Sequence, residues 1–535
     1  MSAGQTSVQE LAALLGSASL YACLDVRERG EFALEQIEGV TPLPRGTMEY
    51  RVRTMVPGRD IPIVVCCDDG RRSALAAATL DAMGYTKVSV LDGGLAAWTA
   101  GGRPTIAGWG VRGKAYAERI CIDRKVPHMT AEELAERRRS GESPTVVDVR
   151  TGEEYLRGHV PEAYHIPGGQ LLTEVSGLGL NADAPIVVSC AGRTRGILGA
   201  EMLRAAGRQN VYHLENGGMG WRLAGYELET GSGRGRPTAD QPVPSWVESA
   251  TRALAEKAQV HAIGLAAFEQ LLASGEPSYT VDIRLPGEYR AGHVPGAIPI
   301  PTGQFALQYE NFLAVRRSPV VIIADDVIRP IWAAVQCQEL GFSNVLVLEG
   351  GIRSWTAAGH SLETGDMPSD AFGLDEARER VAPIAAAELD GERAHDPRVL
   401  LLDVRGSGEF GMGHIPGARW LVRGKLELGI AAIAPDRSAP IVIVCDTGVR
   451  STLAAATLRD LGYVNIRYLD GGIAAWRGGG LAIVDGLDGA DVTRAEAQGD
   501  FGSTLWAGAM ARTREDMLKY LADEEALGYR QAARS

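Results

Sequence analysis

The sequence predicts an α/β protein of four tandem domains, each with a mostly parallel central sheet flanked by helices. The first observation is a constant spacing: an aspartate that ends an apolar run is followed, 42 positions later, by the first residue of a short polar loop. The second is that each loop follows a β-branched run and precedes an Ala/Leu-rich stretch, the strand and helix alternation of parallel sheets. The four pairs are Asp25 and Cys67, Asp148 and Cys190, Asp282 and Ala324, and Asp403 and Cys445.

Each element of the repeat has a local signal. A proline five positions before the loop opens the β-branched run, and proline is tolerated at the first position of a strand. A glycine 17 positions after the first loop residue ends the following helix. A tryptophan stands 31 positions after the first loop residue and follows a glycine-rich turn, and we expect its side chain in the core. These residues are Pro62, Pro185, Pro319 and Pro440; Gly84, Gly207, Gly341 and Gly462; and Trp98, Trp221, Trp355 and Trp476.

The repeats divide the chain into five predicted segments. Domain 1 covers residues 1–106, and domains 2, 3 and 4, each with a preceding linker, cover 107–230, 231–364 and 365–483. A chain of 535 residues is too long for one core, whereas units of this size are ordinary domains. Residues 484–535 match no part of the repeat. Within them, ARTREDMLKYLADEEAL predicts an amphipathic helix that packs on a neighbouring domain or subunit.

Charge and cysteine usage restrict the setting. The net charge of −13 argues against nucleic acid or an anionic membrane as the main partner, because both require a basic surface. The first 20 residues lack a signal-peptide pattern and no stretch approaches 18 apolar residues, so we expect a cytoplasmic protein. Seven cysteines show neither paired nor metal-binding spacing, which predicts free thiols and no metal site.

The four polar loops are the candidate functional sites. They read CDDGRRS at 67–73, CAGRTRG at 190–196, ADDVIRP at 324–330 and CDTGVRS at 445–451, each with an arginine five positions after its first residue. We expect backbone N–H groups to surround the sulfur, while the helix N-terminus and the arginine add positive charge. Such surroundings lower the pKa of a thiol and favour the nucleophilic thiolate, and the same donors can hold an anion. The candidate nucleophiles are Cys67, Cys190 and Cys445, and the candidate substrate-binding residues are Gly70, Gly192, Gly448, Arg72, Arg193, Arg195 and Arg450.

Taken together, these motifs resemble the rhodanese-type sulfurtransferase family in a tandem four-domain form. The resemblance rests on DVR or DIR segments, an acid-aromatic pair followed by stretches such as GHIPGA, the cysteine loops and endings such as DGGIAAW, over about residues 5–480. It implies that Cys67, Cys190 and Cys445 form persulfides. Sulfur would come from thiosulfate or a related donor, with release of sulfite, and pass to cyanide or a thiol. The resemblance implies no metal or organic cofactor.

Departures from this pattern distinguish the loops. Ala324 offers no nucleophile, Val327 replaces the loop glycine and Pro330 removes a backbone donor, so we expect domain 3 to be inactive. The Cys190 loop contains two arginines and no acid, whereas acids accompany the arginines of the other two cysteine loops. Because neighbouring charges change anion binding by about 1 kcal/mol or more, we expect Cys190 to handle thiosulfate best.

Two other functions remain open. A thiolate phosphatase or arsenate reductase on this fold needs five residues between cysteine and arginine, and each candidate nucleophile has four. Cys66 and Arg72 have five between them, but Cys66 occupies a buried strand position, so it is interpreted as a small core residue. A sulfur carrier or scaffold that accepts persulfide from a protein donor is the other alternative. The oligomeric state, including a homodimer, is left open.

Two repeated polar residues are expected to be structural. The aspartate of each DVR or DIR segment should brace the end of its strand. His159, His293 and His414, replaced by Gln36 in the first copy, should make a hydrogen bond near the acid-aromatic pair rather than act in catalysis.

Overall fold

The structure is a computed structural model that describes residues 3–236, 242–367, 370–487, 489–490 and 513–532. It contains four five-stranded sheets with one strand order, and the strand pairings are parallel, which confirms the predicted fold class. Across each sheet the strands are Gly4–Thr6, Val88–Leu91, Ile63–Cys66, Ala22–Asp25 and Thr41–Pro42 in domain 1; His128–Met129, Val211–Leu214, Ile186–Ser189, Thr145–Asp148 and Tyr164–His165 in domain 2; His261–Ile263, Val345–Leu348, Val320–Ile323, Tyr279–Asp282 and Ile298–Pro299 in domain 3; and Ala382–Ile384, Ile466–Leu469, Ile441–Val444, Leu400–Asp403 and Arg419–Trp420 in domain 4.

The register places each polar loop at the carboxyl edge of its sheet. Asp25 pairs with Cys66, and Asp403 pairs with Val444, so the next residue in each case is the candidate nucleophile. Ligands of open parallel sheets bind outside this edge, because strand ends and helix N-termini meet there.

Helices connect the strands in every repeat. They are Val8–Leu15, Arg29–Leu34, Met48–Met55, Arg71–Ala82 and Gly94–Ala100 in domain 1; Val111–Asp123, Ala131–Arg139, Gly152–Arg157, Leu171–Glu174, Thr194–Ala205 and Gly217–Leu223 in domain 2; Ser245–Lys257, Leu265–Ser274, Pro286–Ala291, Phe305–Gln308, Ile328–Glu339 and Gly351–Ala357 in domain 3; and Leu374–Arg380, Ala386–His395, Ser407–Gly411, Leu426–Ile433, Val449–Asp460 and Gly472–Gly478 in domain 4. Within the described residues, no helix combines the length and the apolar composition needed to cross a bilayer.

The helix predicted near the C-terminus is present as Arg514–Ala532, while residues 511 and 512 of the predicted segment lie outside the described residues. It packs on Val111–Asp123, a helix that lies in the predicted linker before domain 2. Gly528 lies directly against Glu118 and Ile122 of that helix. The expectation that this segment packs on a neighbouring domain is therefore confirmed.

The four repeated tryptophans lie in the cores, as predicted. Each is at most 8% exposed, and each indole N–H donates to a backbone carbonyl six residues later, at 2.8–3.0 Å. A buried indole needs such an acceptor, because an unpaired buried donor is costly.

The repeated aspartates and histidines make hydrogen bonds within their own domains. In domain 1, Asp25 accepts hydrogen bonds from the backbone N–H and the guanidinium of Arg27, and the same pairing recurs in all four domains. In domain 2, His159 Nδ1 lies 2.8 Å from the Tyr155 carbonyl oxygen, and its ring stacks on the Tyr155 ring. Gln36 Nε2 donates to the equivalent carbonyl in domain 1, so an amide replaces the imidazole without loss of this bond. The hydrogen bonds expected of the aspartates and the histidines are therefore present.

The described residues form two compact units. Domain 1 and domain 4, at opposite ends of the repeat array, form the first unit. Two ion pairs with little exposure join them: Arg423 binds Glu49 at 2.7 and 3.0 Å, and Arg45 binds Glu427.

Domains 2 and 3 form the second unit with helix Arg514–Ala532. Here small residues allow backbones to approach closely. A Cβ atom on Gly113 would lie 1.8 Å from the Ala306 carbonyl oxygen, and one on Gly168 would lie 3.1 Å from Gly303 Cα. Side chains at these positions would push the two domains apart.

Candidate active sites

The Cys67 loop surrounds its sulfur with backbone donors. Strand Ile63–Cys66 ends directly before it, and helix Arg71–Ala82 begins four residues after it. Gly70 has a φ of +91°, a left-handed conformation that glycine adopts without strain. Its N–H lies 3.2 Å from Cys67 Sγ, and the Ser73 N–H lies 3.4 Å from the same atom. The predicted arrangement of N–H groups around the sulfur is present here.

The Cys445 loop has the same geometry. Gly448 has a φ of +99°, and the N–H groups of Gly448 and Ser451 lie 3.1 and 3.3 Å from Cys445 Sγ. The thiol also donates to Ser451 Oγ at 3.3 Å. Burial raises the pKa of the Cys445 thiol, although the hydrogen bonds with Ser451 and the charge of Arg450 act in the opposite direction. The expectation of a lowered thiol pKa is therefore wrong for this loop, because desolvation outweighs the local donors.

The loop arginines are held by glutamates that the sequence analysis missed. In each domain the arginine binds the glutamate that stands 41 residues earlier, in the acid-aromatic pair. The pairs are Arg72 and Glu31, Arg195 and Glu154, Arg329 and Glu288, and Arg450 and Glu409. Burial opposes ionisation of Glu31 and Glu154, yet their arginines lower both pKa values to about 2. The candidate anion-binding arginines thus carry a compensated charge, and the repeated 41-residue spacing was the signal that could have found the glutamates.

Domains 1 and 4 each supply a residue near the other's loop. Lys425 Nζ of domain 4 lies 3.1 Å from Glu31 Oε1, beside the Cys67 loop. Tyr50 of domain 1 lies within electrostatic range of Arg450 in the Cys445 loop, and burial raises its pKa to about 12. Each loop of this unit therefore has a side chain of the other domain near its arginine–glutamate pair.

The Cys190 loop differs because Arg193 occupies the glycine position, with a φ of −116°. Its guanidinium binds Glu118 of helix Val111–Asp123 at 2.7 and 2.8 Å. Burial raises the pKa of the Cys190 thiol, Arg195 and the N–H of Gly196 lower it, and the charge of Glu524 raises it further.

We expected Cys190 to be the best thiosulfate site because its loop has two arginines and no acid, and the structure does not support that reason. Its loop sequence contains no acid, but Glu118, Glu154 and Glu524 reach it from other elements. Arg193 and Arg195 are both paired, and Thr194 Oγ1 donates to the Glu524 carboxylate. The sequence could not reveal this, since Thr194 and Glu524 are 330 residues apart.

The third loop is occupied by its own carboxylates. Ala324 stands at the nucleophile position and is fully buried. Asp326 Oδ1 accepts the N–H groups of Ile328 and Arg329, both at 2.8 Å, and Asp325 also pairs with Arg329. The residues that donate to the sulfur in domain 1, Gly70 and Ser73, are replaced here by Val327 and Pro330, and Pro330 has no N–H to donate, which fits the expected loss of chemistry.

The remaining cysteines are not placed for catalysis. All seven cysteines are free, and Cys23, Cys66 and Cys337 are buried. A hydrogen bond to Cys23 and burial raise the pKa of Cys66 well above its usual value. The five-residue spacing between Cys66 and Arg72 therefore does not mark a reactive thiolate. Cys121 is half-buried, with Sγ 3.8 Å from His213 Nε2.

Comparison with known proteins identifies the family. The model for the rhodanese-like domain matches residues 7–101, 130–224, 265–358 and 385–478. The chain belongs to the rhodanese-like domain family. A crystal structure of a thiosulfate sulfurtransferase from Pseudomonas aeruginosa superposes with a TM-score of 0.85 at 29% identity, over 98% of this chain and 97% of that one.

Several curated relatives match single rhodanese-like domains. A sulfurtransferase from Allochromatium vinosum is 38% identical over 104 residues, which are 19% of this chain and 95% of the relative. The thiosulfate sulfurtransferase GlpE of Pseudomonas aeruginosa is 35% identical over 99 residues, 18% of this chain and 84% of the relative. A transcriptional regulator of the helix-turn-helix type from Mycobacterium tuberculosis is 39% identical over 106 residues, and the match spans 45% of its length.

Proposed function

We propose that this rhodanese-family protein is a sulfurtransferase that moves sulfane sulfur from thiosulfate or a related donor through cysteine persulfides at Cys67, Cys190 and Cys445. The observation that carries the proposal is the pair of backbone N–H donors on the sulfur of Cys67 and again on that of Cys445. Such donors stabilise the negative charge of a thiolate and of a terminal persulfide sulfur.

The reaction has two balanced steps. The cysteine thiolate attacks the sulfane sulfur of thiosulfate, and the S–S bond of the donor breaks with its electron pair leaving on sulfite. The enzyme then holds a persulfide anion with one added sulfur atom. Cyanide or a thiolate attacks the terminal sulfur, takes it, and returns the cysteine thiolate. No outside oxidant or reductant is required.

We assign thiosulfate chemistry first to Cys67 and Cys445. Their loops have the left-handed glycine that aims an N–H at the sulfur, whereas the Cys190 loop has Arg193 in that position. The arginines of all three loops are paired, so we expect an incoming oxyanion to be attracted mainly by the loop backbone and the helix N-termini. Seven free cysteines are in keeping with a reducing compartment, and we propose the cytoplasm as the location.

Sulfite release from thiosulfate tests the proposal. The assay uses cyanide and small thiols as acceptors, on the wild type and on Cys67→Ser, Cys190→Ser, Cys445→Ser and their combinations. We expect loss of most sulfite release in the Cys67→Ser/Cys445→Ser double variant. Cys66→Ser is the matched control, since it removes a neighbouring thiol from a core strand, and it should retain the activity.

Mass spectrometry after incubation with thiosulfate supplies the second measurement. Each active cysteine should gain the mass of one sulfur atom, and cyanide should remove it. Absence of any gain, together with transfer from a protein persulfide donor, would indicate a sulfur carrier instead. Sulfite release that persists in the triple Cys→Ser variant would refute the persulfide mechanism.

A further inference from the structure

Helix Arg514–Ala532 lies directly on the Cys190 loop. Its apolar residues Met517 and Leu521 form a buried cluster with Met219 of domain 2, and Ala191 and Tyr520 pack against that cluster. This contact brings residues from the end of the chain to the residue that follows the candidate nucleophile.

The same helix brings a buried carboxylate to the loop. Glu524 is 3% exposed, and it accepts a hydrogen bond from Thr194 Oγ1 at the start of helix Thr194–Ala205. Its second oxygen, Oε2, lies 3.3 Å from the position that a Cβ atom on Gly192 would take. This oxygen is buried and has no hydrogen-bond partner among the described residues.

An unpartnered buried carboxylate oxygen is unfavourable for stability, since desolvation is not repaid by a donor. Glu524 could pair with an arginine of the loop, but those are already engaged: Arg193 binds Glu118 and Arg195 binds Glu154. The side chains around the loop therefore contribute two cations and three carboxylates. In domain 1 the carboxylate near the sulfur belongs to the loop itself, since Asp69 Oδ1 lies 4.0 Å from Cys67 Sγ. At the Cys190 loop, Glu524 comes instead from a helix outside the repeat.

We propose that Glu524 is a specificity-determining residue of the Cys190 site. Its carboxylate stands where an incoming oxyanion would approach, so the site rejects anionic sulfur donors such as thiosulfate and accepts uncharged ones. This inference rests on the proposed function for the identity of the donors. The exclusion of anions from Cys190 is a separate property, and it can be measured without sulfur transfer.

Alkylation with two reagents tests the exclusion. Iodoacetate is anionic and iodoacetamide is its neutral analogue, and both transfer a carbon group to the thiolate with release of iodide. Rates at Cys190 are read by mass spectrometry of its peptide in the full chain. The measured quantity is the iodoacetate to iodoacetamide rate ratio, because a change in the thiolate fraction affects both rates equally and cancels.

We expect Glu524→Gln to raise this ratio at Cys190 by roughly tenfold, the effect of one unit charge at short range across a partly screened medium. The ratios at Cys67 and Cys445 in the same sample should not change. Glu524→Asp keeps the charge and should retain the wild-type ratio. Glu515→Gln removes an exposed acid from the first turn of the same helix and is the matched control.

Three outcomes would overturn the proposal. The ratio could stay unchanged in Glu524→Gln, both reagents could accelerate equally, or Glu524→Asp could behave as Glu524→Gln does. Equal acceleration would indicate a steric cover without charge selection. Sulfite release from thiosulfate, measured in the Cys67→Ser/Cys445→Ser background with and without Glu524→Gln, separates the two claims. We expect release to appear only with Glu524→Gln. A tenfold ratio change without any sulfite from the Glu524→Gln variant would leave the exclusion intact and contradict the sulfurtransferase assignment of Cys190.

Discussion

Replacement of Glu154 by glutamine should destabilise domain 2 more than any equivalent change in domain 3. Glu154 is 1% exposed and binds Arg195 through both oxygens, at 2.7 Å each. Glutamine has nearly the same shape as glutamate but no charge. Besides residue 154, the side-chain acceptor that Arg195 has within the described residues is Gln304 Oε1, at 3.3 Å, and it is also uncharged. The variant thus isolates the charge of one buried ion pair.

The size of the effect follows from the pKa of Glu154. Although burial opposes ionisation, Arg195 lowers the pKa from 4.5 to about 2. A difference of roughly 2.5 units at 1.36 kcal/mol each corresponds to about 3 kcal/mol of stability at pH 7. Removal of one partner from a buried pair gives costs of about 3 to 5 kcal/mol, which agrees.

The sign of the pH dependence is fixed by the direction of the pKa change. A carboxyl whose pKa is lower in the folded state stabilises the fold fully above pH 4.5, and this contribution disappears as the pH falls towards 2. The difference between wild type and Glu154→Gln should therefore shrink to about 1 kcal/mol at pH 3, because the wild-type carboxyl then takes up its proton on unfolding.

Hydrogen exchange read by mass spectrometry measures the opening free energy of strand Ile186–Ser189 and helix Gly152–Arg157 in each variant. Glu288→Gln in domain 3 is the matched control. Glu288 is 34% exposed, and Arg329 retains Asp325 and Asp326 after its removal, so we expect a loss below about 1 kcal/mol. Equal losses in the two variants, or a difference that does not fall between pH 7 and pH 3, would refute the reasoning.

Three further changes have defined outcomes. Gly70→Ala puts a side chain on a residue with a φ of +91°, which should lower stability by about 1 kcal/mol in a thermal scan and weaken the N–H contact to the neighbouring thiol; an unchanged midpoint would contradict the left-handed assignment. The alkylation rate of Cys445 by iodoacetamide should keep rising above pH 9, since burial raises the pKa of its thiol above 9.0. Ser451→Ala should move the midpoint of this pH profile higher still, whereas a plateau near neutral pH would show that the thiolate is the resting form. Gly113→Ala would place a Cβ atom 1.8 Å from the Ala306 carbonyl oxygen, so domains 2 and 3 should lose about 1 to 3 kcal/mol of stability, whereas wild-type exchange rates across both would exclude this close contact.

Spacing along the chain was sufficient to predict the fold. The 42-residue spacing located the strand before each loop, and the tryptophans located the last helix of each repeat. This was possible because apolar residues recur at the spacing of strands and helices wherever they face a core. The same 42-residue spacing identified Cys67, rather than Cys66, as the residue that follows the strand, and the register of Asp25 with Cys66 agrees.

Charge pairing was the part that the loop sequence could not supply. Arg193 and Arg195 read as two free cations, because a loop read alone contains no information about distant carboxylates. Glu154 was accessible to prediction, since an acid recurs 41 residues before the arginine in every copy. Glu118 and Glu524 were not, because they occur in one copy only and reach the loop through packing of helices outside the repeat.

The pairing of domain 1 with domain 4 has a consequence for synthesis on the ribosome. Arg45 and Glu427 are 382 residues apart, and Glu49 and Arg423 are 374 apart. At a synthesis rate of about 5 to 20 residues per second, domain 1 waits roughly 20 to 80 s for these partners. During that interval the contact surface of domain 1 faces solvent, while domains 2 and 3, adjacent in sequence, already have each other. We therefore expect domain 1 to be the part of the chain that depends most on chaperones during translation. A circular permutant that joins domain 4 directly to domain 1 should shorten the interval during which domain 1 lacks its partner.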